Sequence, residues 1–229
     1  MRLVAAAALV AALSSAPSAQ TQFADSAGAY VGLHEASARS LVASVGYRQA
    51  NGLDYGVRFG GALFRPAGGR PGTSAGFTIG PEVGYTRPLG AGVSGRVSAT
   101  VLYRSVGSTF QYRPSSDSPE YQSYSAQTLT GNVTATVSRP VRVYGSFRIR
   151  PTLGVYAEAR RALSFETTLS DIDPQPLTTA GVHVGLPFSV RLFGRDVAVS
   201  PFAQIPVVGV PPYDPSRGTY TGGGLRVNF

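Results

Sequence analysis

Long stretches of this chain alternate between apolar and polar residues with a period of two, and that period dictates strands rather than helices. From 53 to 63 the odd positions are Leu53, Tyr55, Val57, Phe59, Gly61 and Leu63, against Asp54, Gly56, Arg58, Gly60 and Ala62. From 75 to 85 the odd set is Ala75, Phe77, Ile79, Pro81, Val83 and Tyr85, opposite Gly76, Thr78, Gly80, Glu82 and Gly84. The longest run extends from 143 to 159, and from 180 to 192 the apolar set moves to even numbers, Val182 through Leu192. Each run is long enough to cross a bilayer as a tilted strand, which takes about 9–11 residues. Strands can span lipid only if every backbone group is paired, so a closed barrel is required.

Turn signals divide the chain into ten such segments. Asn51-Gly52 is a tight hairpin dipeptide, and residues 89–92, Ser138-Arg139-Pro140 and Gly194-Arg195-Asp196 mark three further short connections. Between them lie longer polar connections at about 65–73, 106–122, 163–176 and 208–216. Short and long connections alternate, as they do between the periplasmic and outer ends of outer-membrane barrels. The expected strands are 25–33, 38–49, 52–64, 74–86, 92–105, 123–137, 143–161, 177–192, 195–208 and 217–229, with eight and twelve as the neighbouring counts.

The N-terminus adds a location. Arg2, an apolar run from 3 to 13 and the small residues after it read as a cleaved signal peptide over 1–20, leaving 21–229 as one barrel domain. No later apolar run approaches the ~18 residues of a membrane helix. The chain contains no cysteine, so disulfides and thiolate metal sites are excluded, and two histidines offer little to a metal centre. Neither a metal nor another cofactor is expected. The net charge is +8 with every basic residue an arginine, but the arginines are scattered singly. They form no basic run or helix, so nucleic acid is not an expected partner.

The last strand ends with Leu225, Val227 and Phe229 on one parity, and a terminal Phe on an alternating strand is similar to the C-terminal signal of bacterial outer-membrane barrels. With the leader and the loop rhythm, the mature chain resembles the small OmpA-like and opacity-porin-like barrels across its whole length. It stops at the last strand, without the peptidoglycan-binding domain of full-length OmpA. The resemblance implies an all-β, antiparallel transmembrane barrel in a Gram-negative outer membrane. Its implied partners are outer-membrane lipids, lipopolysaccharide and, during biogenesis, the barrel-assembly machinery.

Sidedness follows from energetics. Arginine facing lipid at mid-membrane costs about 2–4 kcal/mol, so the parity carrying Arg58, Arg96, Arg148 and Arg150 must face the lumen. Tyr47, Tyr55 and Tyr85 then face outward near the short-turn end and Tyr103 near the other, as an aromatic girdle. The lumen is expected to be electropositive, with a network of Arg58, Glu82, Arg96, Arg148, Arg150, Glu158 and His183. Hairpin counting puts 56 opposite 82 and 84 opposite 96, so Arg58 and Arg96 should flank Glu82. Inward glycines, including Gly56, Gly76, Gly80 and Gly84, are read mainly as sites of curvature.

These features favour a structural barrel or a narrow conduit for small anions, since ten strands enclose far less space than the sixteen or so of general porins. Loop-mediated adhesion or ligand binding is the main alternative, with the aromatic-rich 106–122 segment as its surface. An outer-membrane lipid- or peptide-processing enzyme is the third reading. His183 lacks the His-x-Ser spacing expected if the chain resembled lipid A deacylase barrels, and His34-Glu35 is too common a pair to count. The expectation is therefore a protein without enzymatic activity.

Overall fold

The computed structural model describes residues 27–35, 40–63, 72–111, 121–167, 176–209 and 220–229. The expected leader and most of the long connections lie outside them. Alternating sequence becomes β1 (Gly28–Glu35), β2 (Ser40–Arg48), β3 (Leu53–Leu63), β4 (Gly72–Gly90), β5 (Val93–Gln111) and β6 (Tyr121–Ser138). Then follow β7 (Val141–Tyr144), β8 (Phe147–Ile149), β9 (Thr152–Thr167), β10 (Leu177–Gly185), β11 (Phe188–Leu192), β12 (Arg195–Val199), β13 (Phe202–Val208) and β14 (Tyr220–Asn228). All pair antiparallel, and β14 pairs with β1. Strands β1 to β6, β9, β10, β13 and β14 close a ring of ten, so the all-β barrel read from the sequence is the fold. Closure leaves the ring no free strand edge.

Fourteen strands form only ten walls because proline interrupts four of them in one row. Each break falls at a residue followed by proline: Arg139-Pro140, Arg150-Pro151, Leu186-Pro187 and Ser200-Pro201. Proline has no amide to donate, yet its carbonyl still accepts. Arg139, Arg150 and Leu186 donate their amides to the carbonyls of Pro151, Pro187 and Pro201, at 3.4, 2.7 and 3.1 Å. Ser200 and Gly224 exchange bonds of 2.7 and 3.2 Å. The ladder therefore continues across the break, from neighbour to neighbour.

Two expectations about register need correction. The turn placed at 138–140 is a break within a wall; the chain reverses at Gly145, whose φ of +54° suits glycine. Val141 lies opposite Ile149, and Arg142 opposite Arg148. Odd residues are thus apolar and outward on both sides of the turn, and the alternation from 143 to 159 runs straight through it. The second correction concerns the β4–β5 hairpin, where Gly84 lies opposite Ser98 and Arg96 opposite Thr86. Gly90 pairs with Val93 after a register shift at Pro88, which lengthens the turn and displaces the pairing. These two strands also run further outward than expected, to Gly72 and Gln111, and β6 begins at Tyr121.

The apolar parity faces outward. Val31, Val45 and Val57 stand side by side on β1, β2 and β3 and are all exposed, as are Val83 and Val133. An outer surface of this kind is stable in lipid, where apolar side chains need no cover. Tyr47 and Tyr55 pack together with ring centroids 6.3 Å apart, on the same outer face and near the same end as Tyr85. Tyr103 packs against Phe77 at 5.7 Å towards the opposite end.

Val57→Arg is expected to lower barrel stability by about 2–4 kcal/mol, whereas Thr134→Arg on the inner face is expected to be tolerated. Urea unfolding of the protein refolded into lipid vesicles reads the difference.

Candidate functional site: the barrel lumen

The inward parity of β1 to β4 packs into a charged cluster arranged in rows across the strands. One row is Tyr30, Gly46, Gly56 and Glu82, each opposite the next. Because two glycines separate them, the Tyr30 side chain lies flat across β2 and β3. Its hydroxyl donates to Glu82 Oε1 at 2.7 Å. A Cβ at Gly46 would collide with the phenol ring, and one at Gly56 would stand 2.8 Å from its oxygen. Arg58 Nε donates to the other Glu82 oxygen at 2.5 Å. On its far side the Tyr30 ring carries the Arg226 guanidinium of β14, 3.6 Å from the centroid. The chain of contacts joins β14, β1, β3 and β4 through the lumen, across the barrel's closing seam.

The next row towards the short-turn end is Arg48, Asp54, Gly84 and Ser98. Asp54 is 2% exposed and carries two arginines. Arg48 Nη2 donates to Oδ2 at 2.7 Å. Arg96 reaches over Gly84 and donates from both terminal nitrogens, at 2.5 Å to Oδ2 and 2.8 Å to Oδ1. It also donates to Thr86 Oγ1 at 3.0 Å. A bidentate guanidinium–carboxylate pair is among the stronger polar contacts available, and two such partners offset the cost of burying the charge.

Arg96 therefore does not flank Glu82. The displaced register places it two residues further down β5, and Gly84 leaves open the path to Asp54. Gly56 and Gly84 serve mainly to clear side-chain space, while Gly76 and Gly80 bring backbones close, to Ser105 and Val101.

The other expected lumen residues lie apart from this cluster. Glu158 pairs with Arg160 at 3.2 Å, and both are partly exposed. His183 stacks on Phe202, ring centroids 5.4 Å apart, on the opposite wall. Arg148 and Arg150 face inward on either side of Ile149, near the short-turn end, and are half-buried. Leu225 and Val227 lie in the β1–β14–β12 ladders, with Leu225 facing outward, and the exposed Phe229 lies under the Arg195 guanidinium at 4.9 Å. Tyr30 and the His34–Ser44 contact, Nε2 to Oγ at 2.9 Å, were not anticipated from sequence. The aligned glycines at 46 and 56 were the available signal for Tyr30.

The opposite arc is different in kind. Ser98 and Thr100 on β5, Thr130, Asn132, Thr134 and Thr136 on β6, and Thr152 on β9 form an inward wall of hydroxyls and an amide. All are partly exposed. Since their faces point into the barrel, that exposure is to luminal space. By contrast, of the buried side chains among the described residues, only Tyr156 lies outside β1 to β4. The most deeply buried side chains thus gather on β1 to β4, while those of the hydroxyl wall keep intermediate exposure.

No family model matches the chain, and no curated protein does. Among solved structures there is a likeness to LpxR from Salmonella typhimurium. It covers 88% of this chain and 99% of that one, with 9% sequence identity and a TM-score of 0.39. LpxR is an outer-membrane lipid A deacylase, so the expectation that this barrel lacks enzymatic activity does not stand. At that identity and TM-score, no residue, substrate or chemical step passes from LpxR to this chain.

Asp54→Asn would leave Arg48 and Arg96 facing a neutral group in a buried row. It is expected to cost roughly 3–5 kcal/mol, the range for breaking a buried ion pair from one side. Equilibrium unfolding of the refolded variant measures it.

Proposed function

We propose that the protein is an outer-membrane β-barrel of the small OmpA-like and opacity-porin-like kind, exported by its leader. In this reading it provides a narrow, polar lane that favours small anions. The observation that carries the reading is the division of the lumen. Charged side chains fill the β1–β4 half, and a hydroxyl wall on β5, β6 and β9 keeps partly exposed inward faces. Charge sets the preference: Asp54 is shared by two arginines, Glu82 is held by Arg58 and Tyr30, and Glu158 is paired with Arg160, so each of these luminal carboxylates has a cationic partner. Arg148, Arg150 and Arg226 add inward positive charge near the short-turn end, and rings of arginine select anions in pores. Hydroxyls can replace part of a small anion's hydration shell as it passes.

Single-channel recording of the refolded protein in a planar bilayer tests the lane. Small anion-preferring steps are expected, and Thr134→Trp, which adds bulk to the hydroxyl wall, is expected to abolish them. A folded barrel that is silent, or steps unchanged in Thr134→Trp, would sink the proposal.

One contact favours a second reading, an enzyme acting on envelope acyl groups. A serine hydroxyl within hydrogen-bond reach of an imidazole is the pairing of a nucleophile with its base, and Ser44 and His34 make it. Ser44 is only 1% exposed, so a substrate would require the cluster to open. Hydrolysis of a chromogenic acyl ester that disappears in Ser44→Ala would support this reading; activity that is absent, or indifferent to the substitution, would remove it.

A further inference from the structure

Two arginines break the apolar outer face at the short-turn end, and the lumen chemistry does not use them. Arg87 follows Phe77, Ile79, Val83 and Tyr85 on the outward parity of β4 and is exposed. Its row continues to Gly95 on β5 and Val137 on β6. Arg139, two residues beyond Val137 on the same face, is also exposed. On β5 the row of Arg87 holds Gly95, and Val93 follows on the same parity towards the turn, next to Ser94, which pairs with Ser138. The space above Gly95 is partly taken by Leu89, whose side chain lies 3.0 Å from where a Gly95 Cβ would be. Leu89 and Val137 are thus the apolar neighbours of the two arginines on this outer face, and Tyr85 precedes Arg87 by two residues on the same parity.

Neither guanidinium has a hydrogen bond or ion pair among the described residues. The nearest carboxylate in the β3–β5 rows, Asp54, faces the other way, into the lumen, and is already held by Arg48 and Arg96. By contrast, Arg142 at the same end donates from Nε to the Gly145 carbonyl at 2.7 Å, and Arg195 lies over Phe229. Arginine on a lipid-facing surface costs little at the membrane interface, about 0–1 kcal/mol, but several times that at the midplane. Tyr47, Tyr55 and Tyr85 place this end of the wall at interfacial depth, where tyrosine is enriched. The acceptors present at that depth are phospholipid phosphates, and the guanidinium fork matches phosphate geometry.

We propose that Arg87 and Arg139 form a binding site for the headgroup of one anionic phospholipid of the leaflet at the short-turn end. The headgroup phosphate lies between the two guanidinium groups, and the acyl chains lie over Leu89 and Val137. With two cations and no facing carboxylate, the site favours a lipid of net negative charge over a zwitterionic one. This binding does not depend on whether the lumen conducts.

Native mass spectrometry of the refolded full chain, released from detergent doped with phosphatidylglycerol or phosphatidylcholine, tests the site. The protein is expected to retain phosphatidylglycerol preferentially. The double substitution Arg87→Gln and Arg139→Gln is expected to reduce that retention about tenfold, the scale of losing one charge-assisted hydrogen bond. Arg142→Gln removes one positive charge at the same end and is expected to leave retention unchanged. Arg87→Lys with Arg139→Lys keeps the charge without the fork and should recover it in part. Heat-modifiable gel mobility confirms that each variant is folded. Equal retention of the two lipids, an equal loss in Arg142→Gln, or no loss in the double variant would overturn the proposal. Displacement of the lipid by millimolar inorganic phosphate would also overturn it, by showing a phosphate site without lipid selectivity.

Discussion

The lumen of this barrel is organised by one side chain lying across two glycines. Tyr30 starts on β1, crosses β2 and β3 where Gly46 and Gly56 offer no side chain, and hydrogen-bonds Glu82 on β4. Arg226 covers the ring from β14. A barrel built from consecutive hairpins has one closure that no turn enforces, the pairing of its first strand with its last. Here that pairing is supported from inside, by an aromatic ring stacked under one terminal strand and anchored three strands away. The Glu82 carboxylate that fixes the ring is itself held by Arg58.

The second cluster follows the same rule with different chemistry. Arg96 passes over Gly84 as Tyr30 passes over Gly46 and Gly56, and Asp54 receives it together with Arg48. In both cases a charge inside a narrow barrel is paired by a residue from a non-adjacent strand, and the absence of a side chain between them makes the reach feasible. Packing these groups along β1 to β4 has a consequence on the other side. It leaves the hydroxyls of β5, β6 and β9 outside the charged network, with their inward faces partly exposed.

The outside of the barrel obeys the opposite constraint. Its apolar faces need no partner, so the exceptions stand out. Four prolines cross the wall in one row; three of the preceding amides donate to the next proline's carbonyl and the fourth, Ser200, exchanges bonds with Gly224, so the ladder loses little where it would be expected to break. Arg87 and Arg139 are exceptions of charge rather than backbone. Their depth near the tyrosines and their freedom from carboxylates set them apart from the luminal arginines, which lie on the other parity of neighbouring strands.

The alternation of residue types by itself determined that this chain forms an antiparallel barrel, which face is lipid-directed, and which arginines point inward. A period of two repeated over many segments calls for an antiparallel sheet, and the arginines on its polar parity assign that face to the lumen. It also placed Gly56 opposite Glu82, because the β3–β4 register follows from a clean alternation on both sides. It did not reveal the turn at Gly145, since the odd parity is apolar both before and after it. Nor did it find the partner of Arg96, since a short register shift at Pro88 changes which side chains meet. Tyr30 belongs to the same class of omission. Parity says that a side chain enters the lumen but not how far it reaches, and reach depends on which strands curve towards one another and where glycine leaves room. Those distances exist only once the ring has closed, so the pairing of the luminal charges was decided by the tertiary structure.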